Sequence, residues 1–291
     1  MAPSQDITAL KSVKKIRRPS ASRSTWASLA RDALQVPPEH TWLTFTRWAQ
    51  QYGDVMHVNV MGRSFIILSS LKAIDDLLEK RGAIYSDRPI IPMVGELAGF
   101  GQYTAMLPYG PHHREGRKLL LGAFTPRNIP HLQEVQKEMI TPFIARLTED
   151  PSNFALYIRL LVASIVLRIT HGVTVDQYDD PIIEAMEKVM DDFVKLSAPG
   201  AYLVDSFPSL MHIPDWLPGA GFKKVAKAAQ AKTLGVEDSL YNIVKEQVAR
   251  GTAPPSFIGD LLQNHPDSTP EEEELYKRMG LMFYTDPYID P

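Results

Sequence analysis

YGDVMHVNVMGRSFIILSSLKAIDDLLEKRG, residues 52–82, changes its apolar spacing twice along its length. Side chains alternate over residues 55–60, which is the spacing of a strand with one buried face. After a turn at Gly62-Arg63, the apolar run SFIILSS predicts a second strand, so the two together predict a β-hairpin. Ser70 then caps a short amphipathic helix. Its predicted apolar face comprises Leu71, Ile74, Leu77 and Leu78.

Helical spacing dominates the rest of the chain. Upstream of the hairpin, TWLTFTRWAQQYG repeats apolar residues at helical intervals and stops at Gly53. Downstream, the spacing and the start and stop residues predict helices over 129–150, 154–171, 180–198, 223–250 and 256–265, and one more from Pro270 onward. The sequence therefore predicts a mainly α fold with a small β-hairpin near the N-terminus.

Composition excludes several kinds of chemistry. The 291 residues carry a net charge of -3, which gives no argument for binding nucleic acid. The chain contains no cysteine, so it cannot itself form a disulfide, a thiolate zinc site or a cysteine-ligated haem. No P-loop, Rossmann, nucleophile-elbow or His-Glu-x-x-His motif occurs.

The N-terminus and the most apolar segment raise the questions of targeting and of membranes. Residues 1–35 are basic and serine-rich, which predicts a disordered tail, with an organelle presequence as the alternative. FALYIRLLVASIVLRITHG, residues 154–172, is interrupted by Arg159 and Arg168 and is short for a bilayer. It predicts a buried helix that ends at Gly172, and no transmembrane segment is predicted.

A long Pro- and Gly-rich segment, residues 85–109, breaks the helical pattern. Its many apolar side chains make it unsuited to a solvated linker. Two interpretations stay open: the wall of an apolar ligand pocket, or a loop that covers the core.

HHREGR, residues 112–117, places two histidines beside a cluster of arginines. A metal site is disfavoured because adjacent side chains on a helix point in different directions. An anion site is possible if Pro111 starts a helix, since free N–H groups would then face the ligand with Arg114, Arg117 and Lys118 nearby. A basic helix surface without a ligand is the third interpretation.

Taken in order, several short motifs resemble the N-terminal half of a fungal or microsomal cytochrome P-450, a haem-thiolate monooxygenase. The resemblance covers about residues 36–278 and depends on the order and spacing of the motifs. These motifs are WLTF at 42–45, YGDV at 52–55, the hairpin followed by SSLKAIDDLLEKRG, YSDRP at 85–89, LPYG at 107–110, the segment 197–208, PDWLPGAGFK at 214–223 and GTAPPSF at 251–257.

The resemblance implies a haem cofactor. In the helix after PYG the family carries a Trp-x-x-x-Arg pair that hydrogen-bonds a haem propionate; Arg117 matches the arginine, and His113 stands at the tryptophan position. Histidine can also donate to a carboxylate, so the resemblance implies a weakened haem site. No metal ligand is assigned.

The resemblance also implies partners: a hydrophobic small-molecule substrate and an NADPH-dependent reductase. The segments 90–107 and 193–213 resemble parts of the family that contact substrate. The residues expected to do so are Ile91, Val94, Leu97, Phe100, Met106, Phe193 and Leu203.

The departures from the family are large. The acid–alcohol pair of the central helix, the Glu-x-x-Arg motif, the cysteine-containing haem loop and the membrane anchor are absent. Thiolate ligation favours O–O cleavage, so the chain is expected to be inactive alone. The family implies association with the endoplasmic reticulum, whereas a chain without an anchor is expected to be cytoplasmic or peripheral.

Three functional hypotheses stay open. The chain is part of a monooxygenase whose activity needs a C-terminal half, a catalytically inactive haem- or lipid-binding remnant, or an unrelated helical interaction protein. The expected organisation is a tail over 1–35, the partial cytochrome P-450 fold over 36–280, and a divergent tail over 281–291.

Overall fold

The computed structural model describes residues 14–15, 40–60, 63–177 and 179–284. The chain divides into two compact units, residues 1–87 and 88–291. The expected N-terminal tail lies outside the described residues except for Lys14 and Lys15. The same holds for residues 285–291 of the expected C-terminal tail.

The first unit contains the predicted hairpin. Helix α1 (Thr41–Tyr52) ends at Gly53, whose N–H donates to the carbonyl of Ala49 at 2.9 Å. Strands β2 (Val55–Val60) and β3 (Arg63–Leu68) pair antiparallel, and β1 (Lys14–Lys15) adds to β2 in parallel. Met56 and Val58, on one face of β2, are buried. The strand predicted from the alternating side chains is therefore confirmed.

The helix after the hairpin is less regular than its sequence predicts. Helix α2 (Leu71–Ile74) begins at Ser70, whose hydroxyl accepts from the N–H of Ala73 at 3.3 Å. It continues as a π-helical turn over Asp75–Glu79, followed by α3 (Gly82–Tyr85). Of the four residues of the predicted apolar face, only Leu77, within this wider turn, is buried, and the prediction of one buried face is wrong for Leu71, Ile74 and Leu78.

All regular secondary structure among the described residues of the second unit is helical. A π-helical turn (Pro92–Leu97) and a 3₁₀ turn (Phe100–Gln102) precede the longer helices. These are α4 (Pro111–Ala123), α5 (Ile129–Glu149), α6 (Phe154–His171), α7 (Pro181–Ser197), α8 (Leu203–Ser206), α9 (Gly221–Ala249), α10 (Phe257–Asn264) and α11 (Pro270–Met282), with short 3₁₀ turns over Pro151–Asn153 and Pro208–His212. The predicted fold class, mainly α with one small hairpin, is confirmed.

The residues predicted from the sequence to cap helix N-termini form the expected hydrogen bonds. The Asp180 carboxylate accepts from the N–H of Ile182 at 2.8 Å, directly before Pro181 at the start of α7. Thr269 and Glu272 form the predicted capping box of α11, with bonds of 2.8 and 3.3 Å. Helix α11 then extends beyond the expected boundary at residue 280, because Leu281 and Tyr284 pack in the core.

Helix α6 differs from the expectation of a helix buried on all sides. Leu160, Leu167 and His171 are buried, whereas Phe154 and Ile158 are exposed on another side. By length and composition Pro151–His171, which includes the preceding 3₁₀ turn, is long and apolar enough to cross a membrane. A third of its apolar window is buried in the structure, and the core helix of a globular protein meets the same criteria.

Candidate functional site

Helix α4 carries the two residues predicted to hold an anion. It begins with Pro111 after Gly110, as expected from LPYGP. His113 and Arg117 lie four residues apart and therefore share one face of the helix. Arg117 is exposed and His113 half-buried. The structure thus presents the pair side by side at the start of α4.

His113 has an unsatisfied polar atom in a positively charged environment. Its Nδ1 is buried and has no hydrogen-bond partner among the described residues. Burial lowers the pKa of His113, and the charges of Arg117, Arg88 and Arg114 lower it further. A neutral histidine ring can donate its Nδ1–H to an acceptor. A carboxylate would supply such an acceptor together with a negative charge.

Two neighbours of this site were missed from the sequence. Arg88 lies close enough for its charge to act on His113, and its Nε donates to the carbonyl of Ala105 at 3.0 Å. The Tyr109 ring lies 5.8 Å from the His113 ring and 5.7 Å from the Arg114 guanidinium. Both belong to motifs that carried the resemblance, YSDRP and LPYG, and this was the only signal for them. We call Arg88, His113, Arg114 and Arg117 the cation cluster.

Two members of the cation cluster, Arg114 and Arg117, keep their positive charge without an acidic partner among the described residues. Lys118, the remaining cation of the predicted anion site, is exposed and does not act on His113. An anion is therefore expected to bind on the side of α4 that carries His113 and Arg117.

Three consecutive residues, Tyr103 to Ala105, contact α9, α4 and Arg88 in turn. The Tyr103 hydroxyl donates to the buried Glu237 carboxylate of α9. Thr104 packs against Gly116 of α4 so closely that a Cβ atom there would lie 2.1 Å from its Oγ1. The Ala105 carbonyl accepts from Arg88. We call residues 103–105 the tether.

The two segments expected to contact substrate lie together. The backbone N–H of Met93 donates to the Asp205 carboxylate of α8 at 2.8 Å, and both residues are buried. The Phe100 ring meets the Phe193 ring of α7 edge to face, with centroids 5.1 Å apart. The segment 85–109 therefore packs against α7 and α8 through its π-helical turn, which explains how a Pro- and Gly-rich stretch is ordered.

The individual residues of the predicted substrate wall differ in exposure. Val94 and Phe100 are buried in the core, and Ile91, Leu97, Met106 and Phe193 pack at its edge. Leu203 is 69% exposed and does not belong to this core. The structure brings six of the seven predicted residues together and leaves Leu203 apart.

A metal site has no support among the described residues, where no three His, Asp or Glu side chains converge. A small cavity lies between α5 and α6 and not beside the cation cluster. Its lining includes Met139, Phe143, Tyr157 and Leu160.

Fold and site together define a mainly helical domain in which a helix bearing arginines and a histidine lies beside an apolar segment. A sequence model of the cytochrome P-450 family matches residues 24–284, and the chain belongs to this family. This confirms the resemblance seen in the motifs.

Similar proteins are fungal monooxygenases. The chain is 32% identical over 260 residues to cytochrome P-450 monooxygenase 208 and 35% identical over 245 residues to monooxygenase 105, both of Postia placenta. It is 35% identical over 243 residues to tryptamine 4-monooxygenase of Psilocybe cyanescens. These matches cover 88%, 84% and 83% of the chain but 50%, 47% and 48% of the relatives. The chain spans about half the length of the curated relatives it matches.

Proposed function

We propose that this chain forms the part of a haem-dependent monooxygenase that holds the haem propionates and one apolar wall of the substrate site. His113 and Arg117 bind a propionate, and Arg88 and Arg114 add positive charge around it. The bound substrate is a hydrophobic small molecule, and an NADPH-dependent reductase supplies the electrons, as expected for the family.

One observation carries the proposal: the buried, unpartnered Nδ1 of His113 lies among three arginine charges. Leaving a buried donor unsatisfied costs about 1–3 kcal/mol, so an acceptor at this position is favoured. A carboxylate supplies both the acceptor and the missing negative charge. The residues present therefore fit the propionate end of a haem.

The iron end of the haem is not provided for by these residues. Bound haem supplies oxygen activation when a thiolate ligates its iron, and these 291 residues contain no cysteine. A thiolate must therefore come from outside them. We expect the chain alone to bind haem through its propionates without catalysing oxygen insertion.

The predicted substrate wall limits what the substrate can be. Val94 and Phe100 are buried behind this wall, and Leu97, Met106 and Phe193, which are only partly buried, are the residues that retain apolar surface for a substrate. Transfer of an apolar surface from water to such a wall is favourable at about 25 cal/mol per Å². We therefore expect the substrate to be hydrophobic. Residues on the remaining sides of the site determine which hydrophobic molecule binds.

Replacing Arg117 by Ala is expected to weaken haem binding by roughly tenfold, because one charge-assisted hydrogen bond is lost. An absorption titration of the purified chain with haem measures this. Lys118→Ala is the matched control, since it removes the same charge from the next residue on an exposed side of α4. Equal losses in both variants would mean that net charge alone attracts the haem.

Replacing His113 by Trp is expected to tighten haem binding several-fold, because the indole N–H donates without a tautomer requirement and restores the family's residue. His113→Phe keeps an aromatic ring without the donor and is expected to weaken binding. The same titration compares them. If Trp and Phe have the same effect, a ring contact and not a hydrogen bond explains the role of His113.

A further inference from the structure

Glu237 is a buried acid on α9 for which neither the fold nor the proposed haem site gives an evident role. It is 2% exposed and lies among Val236, Leu240 and Val244, the apolar side of the helix. Its partner, the hydroxyl of Tyr103, belongs to a residue 134 positions earlier in the chain. Burying a carboxyl group without a hydrogen-bond partner destabilises the folded state. The hydrogen bond from Tyr103 offsets part of this cost.

The charged groups near Glu237 do not form a direct ion pair with it. Arg278 of α11 favours its ionised form, while Glu274 and Asp238 oppose it. These two acids instead pair with Lys277, each at 2.7 Å. Among these neighbours, only the Tyr103 hydroxyl hydrogen-bonds the carboxyl group. Tyr103 remains protonated because burial raises its pKa above its usual range, so it stays a donor.

Tyr103 lies between the predicted substrate wall and the cation cluster. Its ring stacks on Phe100 at a centroid distance of 5.4 Å, and Phe100 contacts Phe193. The next two residues of the tether contact Gly116 through Thr104 and Arg88 through the Ala105 carbonyl. Tyr103 and the two residues after it therefore contact both the predicted substrate wall and the cation cluster.

Thr104 and Gly116 form the contact between the tether and α4. Gly116 is buried and lies between His113 and Arg117, and its missing side chain is what allows the close approach. Thr104 Oγ1 also lies 3.6 Å from the Met279 sulfur of α11. The tether thus sits between two helices with little room to shift, as expected for a close-packed interior.

We propose that Glu237 is a positioning residue for the cation cluster: through the Tyr103 hydroxyl it holds the tether, and the tether holds α4 and Arg88 in place to bind a carboxylate. This inference rests on the proposed function, because it assumes that the cation cluster binds the haem propionates. Glu237 does not itself touch the ligand.

Three variants test the proposal in the full chain. Tyr103→Phe removes only the hydroxyl, and Glu237→Leu removes the acceptor at similar volume. Glu237→Gln keeps an oxygen that can accept from Tyr103. We expect haem affinity to fall about tenfold in the first two, because each leaves a buried polar group without its hydrogen-bond partner, and to stay within about twofold of wild type in the third.

Two controls separate positioning from general destabilisation. Glu246→Leu removes an exposed acid of the same helix and is expected to leave haem affinity unchanged. Ile183→Val lowers stability by trimming a fully buried side chain of α7 that is not part of the tether. If this variant weakens haem binding as much as Tyr103→Phe, loss of stability explains the effect and the positioning role is wrong.

Amide hydrogen exchange over residues 103–117 gives a readout that does not depend on haem. Faster exchange there in Tyr103→Phe and Glu237→Leu, but not in Glu237→Gln, is expected. Unchanged exchange overturns the link between Glu237 and the tether. Faster exchange with unchanged haem affinity overturns the positioning role alone, whereas failure of the wild-type chain to bind haem overturns the proposed function and the positioning role together.

Discussion

Glu237→Gln is expected to remove the contribution of Glu237 to the pH dependence of stability, a loss on the order of 3 kcal/mol as the pH rises from about 4.5 to about 7. Burial raises the pKa of Glu237 from 4.5 to about 7. In this range the folded protein keeps the proton and the unfolded chain has released it, so stability falls as the pH rises. Gln cannot titrate and keeps the hydrogen bond to Tyr103.

His171 has the opposite effect on the pH dependence of stability. It is 2% exposed on α6, and burial lowers its pKa from 6.5 to about 4. The Thr170 hydroxyl donates its proton to the Val166 carbonyl at 2.8 Å. The Thr170 oxygen therefore accepts from the Nδ1–H of His171, 2.7 Å away. Between about pH 4 and 6.5 the unfolded chain takes up a proton that folded His171 does not, so stability rises with pH.

The two dependences overlap between about pH 4.5 and 6.5, where they are expected to cancel in the wild type. Urea unfolding across this range measures the free energy of unfolding of each variant and of the wild type. The contributions of the surface carboxylates, which both proteins share, cancel in the difference. Glu237→Gln should gain stability relative to wild type as the pH rises, and His171→Asn should lose it. Parallel curves for all three proteins would contradict the assigned burial of both groups.

Gly116→Ala is expected to destabilise the fold by about 2 kcal/mol, although Ala is the better helix former. The new Cβ would lie 2.1 Å from Thr104 Oγ1 and 3.2 Å from its Cβ. Thr104 is buried and short, so either α4 or the tether must move. Haem affinity should fall with stability, because His113 and Arg117 flank this residue. Thermal or urea unfolding and the haem titration measure the two effects.

Gly122→Ala on the same helix is the matched control. No atom lies within 4 Å of a Cβ built there, so the substitution should stabilise the protein by up to about 1 kcal/mol. The double variant Gly116→Ala/Thr104→Ala should recover most of the lost stability, because it removes the clashing oxygen. If Gly116→Ala is as stable as Gly122→Ala, α4 and the tether do not pack as closely as the structure shows.

Features set by neighbouring residues could be predicted from the sequence. The caps at Ser70, Asp180 and Thr269 and the stop at Gly172 depend on a few consecutive residues, and each is found where expected. The strand pair follows from the period of its side chains. His113 and Arg117 share a face of α4 because they are four residues apart.

Features that depend on distant residues could not be predicted. The π-helical turn at Pro92–Leu97 is tied to Asp205, more than a hundred residues away. Arg88 meets the His113 site only through the folding of the loop between them. Glu237 was overlooked inside a long charged helix, although it lies on the same side as Thr233, Leu240 and Val244, and this spacing was a usable signal of burial.

The most direct measurement is the affinity of the chain for haem compared with its affinity for the dimethyl ester of haem. The ester keeps the ring and the iron but has no negative charge to offer to His113 and Arg117. If the cation cluster holds the propionates, haem should bind at least roughly tenfold more tightly than the ester, and Arg117→Ala should remove most of this difference. Equal affinities for haem and ester in the wild-type chain would contradict a propionate site at the start of α4.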